Sequence, residues 1–90
     1  MELSKHITII NKLGLHARAA SKLVGVASRF ESSITLDREG QQADAKSIMS
    51  VLMLAASKGS VLHVTVNGGD AEEALQQIET LINNRFDEAE

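Results

Sequence analysis

Ninety residues leave room for a single domain, 1–90, and a chain of that size buries only roughly 60% of its unfolded surface, so its core must be continuous. A net charge of -3, two Phe and no Trp or Tyr exclude the basic stripe or stacking platform of a nucleic-acid binder. The absence of Cys excludes disulfides, thiolate chemistry and Cys-based zinc sites. Hydrophobic residues at 43% and charged ones at 23% fit an ordered globular chain. No apolar run is long enough to insert in a membrane, and the polar start Met1-Glu2-Leu3-Ser4-Lys5-His6 has no signal-peptide apolar region, so a cytoplasmic location is expected.

In chain order, Lys5 to Ile10 reads as a strand with Ile7 and Ile9 inward. Asn11-Lys12-Leu13-Gly14 interrupts it as a loop. From Ala17 to Phe30 the period becomes helical, with Ala20, Leu23, Val24, Ala27 and Phe30 on one stripe. Ser33 to Asp37 alternates with Ile34 and Leu36 inward, and Asp37-Arg38-Glu39-Gly40 turns into a short return strand, Gln42 to Ala45, with Ala43 and Ala45 inward. Ser47 is placed to cap a helix reaching Leu54 or Ala56, with Lys58-Gly59 ending it and Ile48, Leu52 and Ala55 facing the core. Val61 to Asn67 alternates again, with Leu62, Val64 and Val66 inward and His63 outward. After Gly68-Gly69, Asp70 and Glu73 approximate a capping box for a last helix with Ala74, Leu75, Ile78, Leu81 and Ile82 on its stripe. Phe86-Asp87-Glu88-Ala89-Glu90 reads as a frayed acidic tail. The order βαββαβα, with strands apolar on one side, predicts an α+β open-faced two-layer sandwich: a four-stranded antiparallel sheet carrying three helices on one face.

The chemistry concentrates at Gly14-Leu15-His16-Ala17-Arg18, where the first loop enters the first helix. A helix start presents unpaired N–H groups and a partial positive charge, so an anion is stabilised there and an imidazolium is not. His16 is then the candidate nucleophile and Arg18 a fork for phosphate oxygens. Phosphoryl transfer is mostly positioning and electrostatic stabilisation, so these parts suffice for an acceptor half-site. The plainer alternative is a capping histidine beside a solvated arginine. His6 and His63 read as surface residues that meet if their strands are neighbours; without a carboxylate at ligand spacing they make a poor metal site, and no metal or cofactor is expected. Ser47 serves as an N-cap, and a phosphate there would put a dianion at a helix start. Met49 and Met53 lie off the apolar side of their helix, where Met suits an adaptable docking surface, although core packing is the simpler role for either alone.

With these residues in view, the chain resembles the HPr family of phosphocarriers of the bacterial phosphoenolpyruvate phosphotransferase system. The resemblance runs over nearly the whole chain and is carried by Asn11-Lys12-Leu13-Gly14-Leu15-His16-Ala17-Arg18, by Lys46-Ser47-Ile48-Met49, and by Leu52-Met53-Leu54 and Lys58-Gly59. It implies that His16 is phosphorylated on Nδ1 by phospho-enzyme I and donates to a histidine of an IIA protein, with Arg18 assisting. It implies that Ser47 is the target of an HPr kinase/phosphorylase in organisms possessing one. It also implies that Ile48, Met49, Leu52 and Met53, beside Ala17, Ala20 and Ser21, meet the partners of a monomeric carrier that is not an enzyme. Ala19 departs from the family motif, which carries proline after the arginine; alanine restores an N–H donor to the first helical turn at some loss of rigidity. A regulatory binding module acting through Ser47 and the apolar patch is the second reading. A small hydrolase has no paired carboxylates or nucleophile–base arrangement near His16 in sequence. Sugar-uptake and nitrogen-branch (NPr) carriers share every feature named here.

Overall fold

The computed structural model describes residues 1–90. Its elements are β1 (Glu2–Thr8), α1 (Ala17–Ala27), β2 (Ser33–Arg38), β3 (Gln41–Asp44), α2 (Ile48–Met53), β4 (Val61–Asn67) and α3 (Ala71–Asn83), followed by a 3₁₀ turn at Arg85–Asp87. The sheet order is β1-β4-β2-β3 and every pairing is antiparallel. The expected open-faced sandwich is the fold observed. Register puts Ile7 opposite Leu62 and Leu36 opposite Val64, so one face gathers Ile7, Ile34, Leu36, Ala43, Leu62, Val64 and Val66, all buried. Against it pack Leu23 and Ala27 of α1, Val51 of α2, and Ala74, Ile78 and Ile82 of α3. These form a single apolar body of 23 buried residues, the continuous core that a chain this short requires.

The opposite face holds the polar half of each alternation. There His6 and His63 lie directly across from each other on β1 and β4 and stack at 4.4 Å between ring centroids. No three His, Cys, Asp or Glu side chains gather into a cluster able to hold a metal ion, and no helix is long and apolar enough to cross a membrane.

Four expectations need correction. β1 begins at Glu2 and ends at Thr8, although Ile9 still exchanges backbone hydrogen bonds with Ser60 and Gly59 beyond the strand. α1 stops at Ala27, three residues short of Phe30, which turns back into the core from the following loop. α2 is only six residues long and is rotated by one position, about 100°, from the expected face: Val51 and Leu54 are buried, while Ile48 is 39% exposed and Ala55 is exposed. Ala55 takes φ 49, a left-handed turn that ends the helix before Lys58-Gly59. The capping box at α3 does not form. Asp70 instead accepts hydrogen bonds from Glu31 N (3.0 Å), Ser32 N (3.0 Å) and Ser32 Oγ, tying the start of α3 to the entry of β2.

That last arrangement has a pH signature. The Ser32 hydroxyl and the Glu31 N–H hold the Asp70 carboxyl below its ordinary value of 3.8. A carboxyl depressed by folding stabilises above its unfolded value and loses that contribution as pH falls through the folded one. Urea unfolding of Asp70→Asn should therefore show a lower midpoint at neutral pH and a gap to the parent protein that narrows on acidification. A gap independent of pH would remove the ionised carboxylate as its cause.

Candidate functional site

His16 occupies the N-cap of α1 with extended backbone (φ -77, ψ -179), and its carbonyl accepts from Ala20 N at 2.8 Å. Its side chain makes no capping bond, so the first-turn N–H groups of Ala17, Arg18 and Ala19 have no backbone acceptor. The approach is fixed by Gly14, whose φ of +68 and close packing on Ala56 and Ser57 suit a residue without Cβ. Leu15 N donates to Ala56 O at 2.8 Å and Asn11 Nδ2 to Gly14 O at 2.8 Å, pinning the loop to the segment that follows α2 and to itself. The ring of His16 is thus held at a helix start yet remains 26% exposed.

The expected frayed tail is absent; in its place a strap closes one side of this site. Phe86 is fully buried, and Lys22 Nζ donates to its carbonyl at 2.9 Å. Lys22 also pairs with Asp87 at 3.5 Å, and Lys12 N donates to Glu90 O. These contacts carry Glu88 onto His16: one carboxylate oxygen accepts from Asn11 Nδ2 at 3.0 Å and the other bonds His16 Nε2. The Asn11 amide, then the His16 ring, hold the Glu88 carboxyl below its ordinary value. An ionised carboxylate only accepts, so a neutral ring carries its proton on Nε2 and its lone pair on Nδ1, which has no hydrogen-bond partner. Asn11 is fully buried, and its Oδ1 is the single buried side-chain polar atom without a partner. Leaving such an atom unpaired costs about 1–3 kcal/mol, which sets Asn11 apart as a residue kept for its two N–H donations. Lys12, Arg18 and Lys22 line the same shallow depression as Asp87, Glu88 and Glu90.

The remaining expected positions divide. Ser47 caps α2 with a 3.4 Å bond from Ser50 N. Met49 and Met53 are exposed at 67% and 66%, Ile48 is partly exposed and Leu52 half-buried, and Ala17 and Ser21 are open on α1. Ala20 is fully buried among core side chains and offers no contact surface, which corrects its assignment to the partner patch. Ala19 is likewise fully buried, its methyl part of the core.

This layout, a histidine at a loop-to-helix junction with Arg18 two residues on, coincides with a family match over residues 3–84 to the PTS-HPr model, the PTS HPr component phosphorylation site. The chain belongs to the PTS-HPr family. It is 56% identical to phosphocarrier protein HPr of Pseudomonas aeruginosa over 85 residues, covering 93% of this chain and 94% of that one. It is 43% identical to phosphocarrier protein NPr of Shewanella violacea over 88 residues, covering 98% and 97%. The crystal structure of HPr-C-His from Thermoanaerobacter tengcongensis matches with a TM-score of 0.94 at 39% identity, covering 98% of this chain and 99% of that one. As an HPr-family phosphocarrier it belongs with the phosphotransferase system, whose partners in general are enzyme I and IIA proteins. The family match stops at residue 84, before Phe86 and Glu88.

Proposed function

We propose that this HPr-family chain accepts a phosphoryl group on Nδ1 of His16 from phospho-enzyme I and passes it to a histidine of an IIA protein. The observation that carries the reading is the placement of His16: a part-exposed ring at the start of α1, Nδ1 unbonded, beside three N–H groups with no backbone acceptor. Those groups and the Arg18 guanidinium supply fixed positive potential for the phosphate oxygens. The cycle leaves the chain unchanged, as befits a carrier. Ile48, Met49, Leu52 and Met53 of α2, next to Ala17 and Ser21 of α1, form the face that both partners share. Ser47 is the second modification position, in organisms with an HPr kinase/phosphorylase, and its phosphate would place a dianion beside that face.

The test is to incubate the protein with enzyme I, Mg²⁺ and phosphoenolpyruvate and follow intact mass. One acid-labile phosphate should appear on the parent protein and none on His16→Ala. Loading of both proteins, or of neither with enzyme I of the sugar and of the nitrogen branch, would overturn the carrier reading. Which branch's enzyme I loads it faster assigns the branch. A chain that never loads through His16 yet still binds partners through α2 would be the regulatory module instead.

A further inference from the structure

We infer that Glu88 is a positioning residue for the carrier chemistry: brought onto the site by the C-terminal strap, its carboxylate holds the His16 ring proton on Nε2, aims the Nδ1 lone pair outward and keeps that proton in place once the ring is phosphorylated. This rests on the carrier reading of His16 and extends it to a segment beyond the family match.

The geometry supports each part. Glu88 is bound at both oxygens, by Asn11 Nδ2 and His16 Nε2, and only 14% of its side chain is exposed, so it is held where it stands. It covers Nε2 and leaves Nδ1 without a hydrogen bond. The other charged groups lining the depression beside Glu88 are Arg18 and Lys22 from α1, Lys12 from the preceding loop, and Asp87 and Glu90 from the strap. Of these six charged groups, three cations and three carboxylates with Glu88 included, Glu88 alone bonds the ring, so its contact decides where the ring proton lies.

The step balances without a further reagent. The Nδ1 lone pair attacks the phosphorus of the phosphorylated donor, and the donor's bond to phosphorus breaks with its electron pair returning to the donor. The ring then carries the phosphoryl group on Nδ1 and its original proton on Nε2, a positive ring paired with the Glu88 carboxylate. On discharge the acceptor's lone pair attacks phosphorus, and the P–Nδ1 electrons return to a neutral imidazole. Had the Nε2 proton been lost, the leaving group would be an imidazolate, far more basic and slower to depart. Glu88 therefore keeps the phosphorylated ring in its transferable form to higher pH.

The experiment compares the parent protein with Glu88→Gln, which keeps an acceptor oxygen but not the charge. Glu90→Gln is the control, removing the same charge from the same strap away from His16 Nε2. Intact mass first establishes loading on His16; failure of the parent protein to load overturns the carrier reading itself, and with it this inference. Ring ¹⁵N NMR should show Nε2–H in the unphosphorylated parent protein, a readout that needs no variant. In Glu88→Gln the phosphorylated ring should lose its Nε2 proton at a pH lower by about one unit, at the low end of the effect of removing an adjacent opposite charge. Discharge to an IIA protein above that pH should slow about tenfold, with Glu90→Gln unchanged in both. An Nδ1–H tautomer in the parent protein, an unshifted titration in Glu88→Gln, or an equal shift in Glu90→Gln would each overturn the proposal.

Discussion

Gly14→Ala is expected to cost the protein well over 2 kcal/mol and to disorder the His16 loop. The backbone at Gly14 has φ +68, where an L side chain adds about 1–2 kcal/mol of strain. Space is the larger objection. A Cβ there would lie 2.6 Å from Ala56 O and 2.8 Å from Ser57 Cα, both backbone atoms that no rotamer change can move aside. Ala56 O is also the acceptor for Leu15 N, so pushing it away breaks the bond that seats the residue before His16. Against a total stability of about 5–15 kcal/mol for a small domain, this one methyl group removes a large share. Urea unfolding should report the loss, and phosphoryl acceptance should fall even where the variant remains folded, because α1 no longer starts at a fixed place. A variant with parental midpoint and parental loading would mean that the loop relaxes freely, contrary to the packing of Gly14 on Ala56 and Ser57. Gly25 and Gly40, with nothing within 4 Å of a Cβ, are the contrast. Gly25 has the simpler case, since its backbone does not require a positive φ.

The fold was legible in the sequence because each strand carries its own instruction. Ile34 and Leu36, or Leu62, Val64 and Val66, alternate cleanly with polar neighbours, and period two fixes both the element and its buried face. The position of His16 and Arg18 at the start of α1 was legible as well, since a glycine followed by a helical period marks a loop-to-helix junction. Short or irregular pieces were not. Six residues of α2 present nearly all apolar side chains, so the pattern carries no phase, and Val51 rather than Leu52 faces inward because the packing against α1 and β3 selects the rotation. Asp70 stands where a cap belongs, but a contact 38 residues away in sequence claims its carboxylate, and local pattern has no access to that competition. The strap was missed for a related reason. Four polar or small residues follow Phe86 and suggest solvent, yet Phe86 continues the i, i+4 spacing of Ile78 and Ile82, the one signal that could have placed it in the core. With Phe86 inside, Glu88 has little freedom to be elsewhere, and Asn11 becomes more than a loop breaker.

Phe86→Ala should reveal how the strap is held. Truncating a fully buried phenylalanine costs about 3–5 kcal/mol where the surroundings cannot adjust. Here they have an alternative. Arg85, Phe86 and Asp87 all lie at positive φ (57, 51 and 65), a run of three left-handed residues carrying about 1–2 kcal/mol of strain each. Burial of the ring offsets that strain, helped by the bond from Lys22 Nζ to Phe86 O and the turn bonds Asp87 N to Asn84 O and Glu88 N to Arg85 O. Without the ring the balance reverses and the strap is expected to peel away, recovering the strain, so the net loss in urea unfolding should fall below the about 3–5 kcal/mol of a site that cannot adjust. The decisive readout is local: the ring ¹⁵N signals of His16 should lose the signature of the Glu88 contact while the amide signals of α1 and β4 keep their dispersion. Phe86→Leu, which retains an apolar anchor, should keep that contact at a smaller cost. If Phe86→Ala preserved the His16–Glu88 contact, the anchor would have to be the polar bonds alone, and three left-handed residues would be standing without the burial that offsets them.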